Sequence, residues 1–239
     1  MKTCLITGAS GEIGGKIAED LVQNGWQVIL HCNQNLERLR SQAKNLPVES
    51  ILSFIQADLS TLEGIQSLLD KLHFQIDAFV HASGKAMFGL FQDVTDNDMD
   101  EMMMLHVQAP MKITRQLLPD MIRRKSGSIL LISSIWGDIG ASYEVMYSTV
   151  KGAQNSFVKA LSKEVAASGV RVNAVSPGVI DTKMNEHLAD EERNALIDKI
   201  SQKRFGSTQD VSNTVQFLLS ERAQYIDGQI INVNGGFSS

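Results

Sequence analysis

The chain has 239 residues, of which 43% are hydrophobic and 21% charged, so it can bury a full core in one large domain. Its formal net charge of −5, with Lys and Arg residues spread along the sequence, disfavours a nucleic-acid partner. Because no run of about 18 apolar residues occurs, and Cys4 and Cys32 lack the paired spacing of a zinc site, we expect a soluble cytoplasmic protein with no metal and no membrane partner.

Seven short apolar runs alternate with helical patterns along the whole chain. Each run has the length of a strand buried on both faces, and the alternation predicts an α/β fold in which helices cover both sides of a parallel sheet. The runs are "CLIT", "WQVILH", "ILSFIQ", "IDAFVHA", "SILLISS", "VRVNAVS" and "GQIINVN". The helical patterns cover residues 13–23, 37–44, 62–72, 98–123, 145–167 and 209–219. The charged stretch at about 183–204 is expected to form a mobile lid over a substrate.

The first strand is followed by the segment "TGASGEIGG", which leads directly into a helix. Gly8, Gly11 and Gly14 would let the backbone turn tightly and approach a pyrophosphate, whose charge the free amides at the start of the helix would meet. A glycine-rich turn without a ligand is the alternative for this segment taken alone.

The ends of the next three strands hold further residues that could contact a dinucleotide cofactor. The second strand ends near Asn33, where an NAD site usually has an acidic residue for the ribose 2′-hydroxyl, so NADP(H) is favoured over NAD(H). The third ends at Asp58, which would either accept a hydrogen bond from adenine or cap the helix that begins near Leu62. The fourth ends in "HASG", residues 81–84, whose small side chains would let a ligand lie against the backbone or would simply form a turn.

Tyr147 and Lys151 lie four positions apart in a helical pattern and therefore share one face of the helix. A phenol beside an ammonium group is easier to ionise, which would bring the Tyr147 hydroxyl into range for general acid-base chemistry. Carbonyl reduction needs such a proton donor and a second donor that holds the carbonyl oxygen, and Ser134, which closes the fifth strand, can be the second donor. A solvated helix pair is the alternative for an isolated tyrosine and lysine at this spacing.

Over essentially its whole length the chain resembles the short-chain dehydrogenases/reductases. The resemblance rests on "TGASGEIG", "HASG", Ser134 thirteen residues before Tyr147, "YSTVK", "NAVSPGVIDT" and "GQIINVNGG". It implies a single-domain Rossmann fold over residues 1–239 and NADPH-dependent reduction of a ketone to a secondary alcohol by hydride transfer. Tyr147 is then implied to donate the proton, Ser134 to orient the carbonyl, and Lys151 to hold the ribose and lower the pKa of the tyrosine.

The resemblance also implies how the chain binds its cofactor and how it assembles. Asp58 is implied to reach adenine, and the residues that follow the sixth strand to grip the carboxamide of nicotinamide. The helices at 98–123 and 145–167 are implied to form the contact of a homodimer, commonly within a homotetramer. The cofactor-binding residues so implied are Gly8, Ser10, Gly11, Glu12, Ile13, Gly14, Asn33, Asp58, Leu59, Ala82, Ser83, Gly84, Pro177, Gly178, Ile180 and Thr182.

Departures from the pattern of the family include His81 and Ser83 in "HASG", Glu12 and His106. Glu12 stands where a glycine is usual, and because a carboxylate would repel pyrophosphate, we expect its side chain to point away and to be stabilised by the positive end of the helix. His106 stands at a fourth catalytic position, where the usual Asn is implied to act through its backbone carbonyl on a water of the proton relay. The His106 imidazole could add a group that titrates near neutral pH, or it could simply pack.

One candidate substrate class follows from similarity to bacterial 3-oxoacyl-carrier-protein reductases. Their acidic carrier protein needs a basic contact surface, which Arg123, Arg124 and Lys125 would offer. The same residues suit an ordinary helix C-terminus. A second position that is often basic in such reductases is Ser168 here, so the sequence supports carrier docking only in part.

A second candidate class follows from the residues expected to contact the substrate, which are Trp136, Glu144 and Met184. A carboxylate at Glu144 would favour an amine, and "SSIWGDIGASYEVMYS" resembles the reductases of the 5-aminopentanone group on a lysine of elongation factor P. A solvated surface acid is the alternative for Glu144. A non-catalytic NADP-binding sensor is the remaining alternative for the whole chain, although the proposed catalytic residues are all present.

Overall fold

A computed structural model describes residues 1–186 and 188–237 of the chain. Its seven strands are β1 Thr3–Thr7, β2 Gln27–Cys32, β3 Ile51–Gln56, β4 Ala78–His81, β5 Gly127–Ile132, β6 Val170–Pro177 and β7 Ile230–Val233. They form one sheet in the order β3-β2-β1-β4-β5-β6-β7, and every neighbouring pair is parallel. The α/β fold with a seven-stranded parallel sheet is therefore confirmed, in the Rossmann arrangement.

Helices connect the strands on both sides of this sheet. They are α1 Glu12–Gln23, α2 Leu36–Ala43, α3 Leu62–Leu69, α4 Asp96–Met103, α5 Ala109–Arg124, α6 Trp136–Ile139, α7 Val145–Val165, α8 Asp190–Lys199 and α9 Thr208–Leu219. The short helix α6 and the lid helix α8 were not predicted, because neither carries the apolar periodicity of a helix that packs on a core. Within the described ranges, no helix is long and apolar enough to cross a membrane.

Alternate residues of the strands supply two separate hydrophobic cores, one on each face of the sheet. On one face, Ile6 and Leu30 pack with the apolar sides of α1 and α9. On the other face, Leu5 and Ile29 pack with α3, α5 and α7. Burial on both faces explains why the strands are nearly continuous apolar runs, and it holds α7 at a fixed height above the sheet.

The order of connections reverses between β1 and β4, which opens a crevice at the carboxyl ends of these strands. The two turns that follow the strands are in close contact there. A Cβ atom on Gly8, which has φ of +71°, would lie 2.6 Å from the carbonyl oxygen of Ala82. Glycine is needed at this point because only its backbone can adopt the conformation and permit the approach.

The single helix expected at 98–123 is divided by a π-helical turn at Met104–Gln108. Helix α4 ends before this turn and α5 begins after it. Helical periodicity cannot distinguish the two arrangements, because a π turn adds one residue without ending the helix. The turn contains His106, whose side chain is fully buried.

Candidate active site

Three predicted catalytic residues meet at the carboxyl end of the sheet. Ser134 lies two residues beyond the last residue of β5, and Tyr147 and Lys151 lie on the first two turns of α7. Ser134 and Tyr147 line the same cavity, and Ser134 is near enough to lower the pKa of the Tyr147 phenol. The ammonium nitrogen of Lys151 lies 5.5 Å from the centroid of the Tyr147 ring. The fold therefore brings the proposed proton donor, the carbonyl-orienting hydroxyl and the lysine together.

Burial raises the pKa of Tyr147 to about 12, although Ser134 lowers it and the nearby charge of Glu144 raises it further. In the chain by itself the pKa of Tyr147 is therefore raised, and its lowering by Lys151 together with an oxidised nicotinamide remains a prediction. The physical reason for the raised pKa is that transfer of a phenolate into a desolvated site costs more than the ammonium recovers at this distance. The phenol is thus fully protonated at neutral pH, which is the state that a proton donor needs.

Lys151 is 4% exposed and donates to neutral groups. Its ammonium nitrogen lies 2.8 Å from the carbonyl oxygen of Ile132 and 3.4 Å from Oε1 of Gln154. Burial lowers the pKa of Lys151 to about 7. The charge of this side chain is therefore sensitive to pH near neutrality.

The backbone carbonyl of His106 faces α7, where it accepts a hydrogen bond of 2.7 Å from Nε2 of Gln154. The carbonyl expected to hold a relay water thus contacts a side-chain amide directly. Gln154 was missed by the sequence reasoning, although its position three residues after Lys151 places it on the same helix face.

The His106 imidazole packs beside the Tyr147 ring at a centroid distance of 5.7 Å, edge to face. Its Nε2 atom lies 3.0 Å from the carbonyl oxygen and 3.2 Å from the amide nitrogen of Lys85. Burial, with a smaller contribution from the charge of Lys151, holds the pKa of His106 well below its usual range. A role for this ring as a group that titrates near neutral pH is therefore wrong, and the ring is a packed neutral side chain.

The glycine-rich turn is supported by a second buried histidine. Nδ1 of His31 accepts a hydrogen bond of 3.2 Å from the amide of Gly8, while Nε2 lies 2.9 Å from the carbonyl oxygen of Ala57. Burial lowers the pKa of His31 to about 4, so the ring is neutral and can accept at one nitrogen and donate at the other. The sequence offered no signal for this role, because the pairing of β1 with β2 places His31 beside the turn.

The crevice around this turn fits a dinucleotide. A Cβ atom on Gly14 would lie 2.4 Å from the carbonyl oxygen of Gly8, so the turn and the start of α1 have no room for larger residues. The buried hydroxyl of Ser83 has no hydrogen-bond partner among the described residues, and a ligand in the crevice would supply one. Asn33 is exposed at the end of β2, where it can contact a ribose.

Asp58 does not cap the following helix. Its carboxylate accepts hydrogen bonds from the amide and the hydroxyl of Ser60, and the hydroxyl of Thr61 caps α3 instead. The capping alternative for Asp58 is therefore wrong. Contact with adenine remains a prediction, as do the contacts of the other implied cofactor-binding residues.

A cavity of about 170 Å³ lies beside the Ser134 and Tyr147 hydroxyls. All three expected substrate residues, Trp136, Glu144 and Met184, line it. Among the described residues of its wall, Glu144 is the sole charged side chain. The other described lining residues are Ala86, Phe88, Ser134, Ile135, Tyr147, Gly178, Val179, Asn185, Leu188 and Leu196.

The predicted lid consists of a short 3₁₀ turn, Lys183–Asn185, and helix α8. Met184, Leu188 and Leu196 turn apolar side chains toward the cavity. One residue of the predicted lid, His187, lies outside the described residues. Movement of this segment over a substrate remains a prediction.

Comparison with known proteins extends over nearly the whole chain. The family model described as enoyl-(acyl carrier protein) reductase matches residues 8–238. The uncharacterized oxidoreductase YmfI of Bacillus subtilis (strain 168) is 48% identical over 238 residues, which cover 99% of this chain and 98% of the relative. The 3-oxoacyl-[acyl-carrier-protein] reductase FabG of Staphylococcus aureus (strain Mu50) is 30% identical over 239 residues, with coverage of 98% and 97%.

A solved structure, ElxO with NADP bound, superposes with a TM-score of 0.89 at 26% identity and covers 99% of this chain and 98% of its own. This similarity agrees with the fold described above. The chain therefore belongs to the short-chain dehydrogenase/reductase family of oxidoreductases.

Proposed function

We propose that this chain reduces a ketone to a secondary alcohol with NADPH, and that Tyr147 donates the proton. The observation that carries the proposal is that Ser134 and Tyr147 lie together at the wall of a small cavity, with Lys151 beside the tyrosine ring. A non-catalytic sensor would not need this pair. The pair instead gives two oxygen atoms that can approach the same carbonyl oxygen.

Each residue has a defined part in the reaction. Bound NADPH supplies the hydride that reduces the carbonyl carbon. The Ser134 hydroxyl donates to the carbonyl oxygen and fixes its position, while Tyr147 transfers its proton to that oxygen as the negative charge develops. The phenolate left on Tyr147 is stabilised by the Lys151 ammonium, whose positive charge lies near the ring.

The proposed preference for NADP(H) over NAD(H) rests on the end of β2. Residues 33–35 are Asn, Gln and Asn, so no carboxylate there would repel a 2′-phosphate. The bound NADP in ElxO agrees with this preference. The nearest cations, Arg38 and Arg40, lie in α2, and Arg40 is paired with Glu37.

For the substrate, the cavity favours a ketone that carries a positive charge over an acidic carrier protein. Glu144 would attract an ammonium group at the cavity wall. The basic cluster expected to bind a carrier lies at the amino end of β5, which is the opposite edge of the sheet from Ser134. Two of its members are already paired with acids, Arg123 with Asp120 and Arg124 with Asp77.

We therefore extend the proposal to an aminoketone on a lysine side chain, such as the 5-aminopentanone group of elongation factor P. Reduction of 3-oxoacyl groups on a carrier protein is the second candidate, favoured by the similarity to FabG over the whole chain.

The proposed assembly is a homodimer or homotetramer through α5 and α7. A groove between these helices is lined by Met111, Leu118, Phe157 and Leu161, and Met111 is 42% exposed. An apolar surface of this kind suits a second copy of the chain.

The proposed function is tested by following nicotinamide absorbance with NADPH and a panel of ketones, aminoketones and acetoacetyl thioesters. Tyr147→Phe is expected to abolish turnover of every substrate, since it removes one oxygen atom and keeps the ring. Thermal stabilisation of this variant by NADPH serves as the control for an intact fold and crevice. Turnover at the wild-type rate in Tyr147→Phe would overturn the assignment of Tyr147.

A further inference from the structure

We infer that Gln154 is a positioning residue that holds the Lys151 ammonium in place and favours its charged form. The inference rests on an unbroken buried contact from the His106 carbonyl through the Gln154 amide to Lys151. The expected effect of Gln154 on ketone reduction rests on the proposed function. The expected effect of Gln154 on the pKa of Lys151 is independent of the proposed function.

Both ends of the Gln154 amide are used, and the side chain is 1% exposed. Its Nε2 atom donates to the His106 carbonyl oxygen at 2.7 Å, and its Oε1 atom accepts from Lys151 at 3.4 Å. Rotation of the amide by half a turn would place its NH₂ group against the ammonium and its oxygen against the carbonyl, so both contacts would become repulsive. The His106 carbonyl therefore fixes the direction in which the Gln154 oxygen faces.

The π-helical turn supplies this carbonyl. His106 lies at the centre of the turn Met104–Gln108, and its carbonyl accepts from a side chain 48 residues later in the sequence. π-helical turns often occur at functional sites, because they change where the backbone groups of a helix can bond. Here the irregular turn orients a residue on another helix.

Lys151 depends on its two neutral acceptors because no carboxylate forms an ion pair with it within the described part of the chain. The groups that face it are the Tyr147 phenol from α7, the neutral imidazoles of His81 from β4 and His106 from the π turn, and the Ile132 carbonyl from β5. The Asp138 carboxylate of α6 is engaged by the Asn155 amide.

An ammonium group in this setting is close to losing its proton, since burial already brings the pKa of Lys151 to about 7. A hydrogen bond to a charged group stabilises that charge more than a bond between neutral groups does. Loss of the Gln154 oxygen should therefore favour the neutral amine. The neutral amine would no longer stabilise a phenolate on Tyr147, and reduction would slow.

The test compares Gln154→Leu and Gln154→Glu with Asn155→Leu as the matched control. Asn155 is also a buried amide on α7, but it joins Ser133 and Asp138 and makes no contact with the ammonium. The first measurement is the pKa of Lys151 from the carbon-13 shift of lysine Cε against pH, with the signal assigned by its loss in Lys151→Met. This measurement requires no substrate and no turnover.

Gln154→Leu is expected to lower the Lys151 pKa by about one unit, as a charge-assisted hydrogen bond is lost. Gln154→Glu is expected to raise it by at least as much, because a carboxylate replaces the amide. The pH above which kcat/KM for ketone reduction declines should fall in Gln154→Leu and rise in Gln154→Glu. Asn155→Leu should lower the melting temperature but should change neither the Lys151 pKa nor the pH dependence of kcat/KM.

An unchanged Lys151 pKa in Gln154→Leu would overturn the inference, even if activity falls. If that variant does not fold, Gln154→Met is measured in its place, because it keeps the length of the side chain and also removes the acceptor, and an unchanged Lys151 pKa there would overturn the inference in the same way. Failure of every substrate with wild-type protein would contradict the proposed function and would leave the lysine measurement valid.

Discussion

The carboxylate of Glu12 accepts a hydrogen bond of 2.7 Å from the backbone amide of Lys183, so the glycine-rich turn is joined directly to the first residue of the proposed lid. Glu12 is also the first residue of α1, where the positive end of the helix favours a negative charge. The side chain thus has two partners that account for a carboxylate at a position where the family usually has glycine. Because a pyrophosphate is expected at the start of α1, the same negative charge lies near the proposed cofactor site, although the carboxylate is turned toward Lys183.

We expect Glu12→Gln to bind NADPH about two- to fivefold more tightly, because the repulsive charge is lost and an acceptor for the Lys183 amide is kept. The melting temperature should fall slightly, since the favourable interaction with α1 is weakened. Quenching of protein fluorescence by NADPH gives the dissociation constant. Glu19→Gln is the control, because Glu19 lies on α1 and pairs with Lys16 away from the turn. Equal or weaker NADPH binding by Glu12→Gln would contradict the expected repulsion.

We expect Lys151→Met to stabilise the fold while it abolishes reduction. Replacement of a buried, unpaired ammonium by an apolar side chain of similar length removes its desolvation penalty from the native state. The pKa of Lys151 is about 7 in the folded chain and 10.5 at its ordinary value. Below pH 7, Lys151 carries its proton in both the folded and the unfolded chain, so the desolvation penalty of the ammonium destabilises the folded chain in full. Between the two values the unfolded chain binds more protons, so this group makes stability rise with pH.

The increase in the free energy of unfolding caused by Lys151→Met should therefore be largest below pH 7 and should decline toward pH 10.5. Urea unfolding at a series of pH values measures it. Lys159→Met, on an exposed position of the same helix, is the control and should show little change. A gain that is independent of pH would show that packing rather than charge is responsible.

We expect Glu144→Gln to lower kcat/KM for an aminoketone by about tenfold or more, the effect of losing one charge-assisted contact. Turnover of a neutral acetoacetyl thioester should change much less, because for that substrate Glu144 acts only through its smaller effect on the pKa of Tyr147. Glu221→Gln is the control, because Glu221 lies in an exposed turn and does not line the cavity. Unchanged aminoketone turnover in Glu144→Gln would remove the reason for preferring a cationic substrate.

We expect Met111→Glu to dissociate the proposed homo-oligomer. A charge in the groove between α5 and α7 would have to be buried against a second copy of the chain, at a large desolvation cost. Sedimentation velocity of wild type and variant gives the mass of each species. Val48→Glu is the control, because Val48 is 85% exposed and lies outside that groove. A monomeric wild type would contradict the assembly.

Local pattern was sufficient for the strands and for the helices that pack on the sheet. A strand buried on both faces must be apolar throughout, and a helix on one face must be apolar along one side, so Leu5 or Ile17 can be assigned without knowledge of their partners. The pairing of Tyr147 with Lys151 was equally accessible, because a helix fixes the geometry of residues four apart. Ser134 followed from its place at the end of an apolar run.

Contacts between distant segments could not be deduced in this way. Whether Thr61 or Asp58 caps α3 depends on the path of a short turn, and the role of His31 depends on which strand lies beside β1. Gln154 acquires its partner from a π-helical turn 48 residues earlier, an irregularity that has no mark in the apolar pattern.

The sequence by itself determined the α/β fold, the glycine-rich turn and the identity of the proposed catalytic side chains, since these depend on spacing along one element. The tertiary structure alone decided the charge states. Tyr147 resists ionisation and Lys151 loses its proton readily because both are desolvated by neighbours from other strands and helices. Burial depends on the whole packed chain, and for these two groups it outweighs the attraction that their spacing suggests.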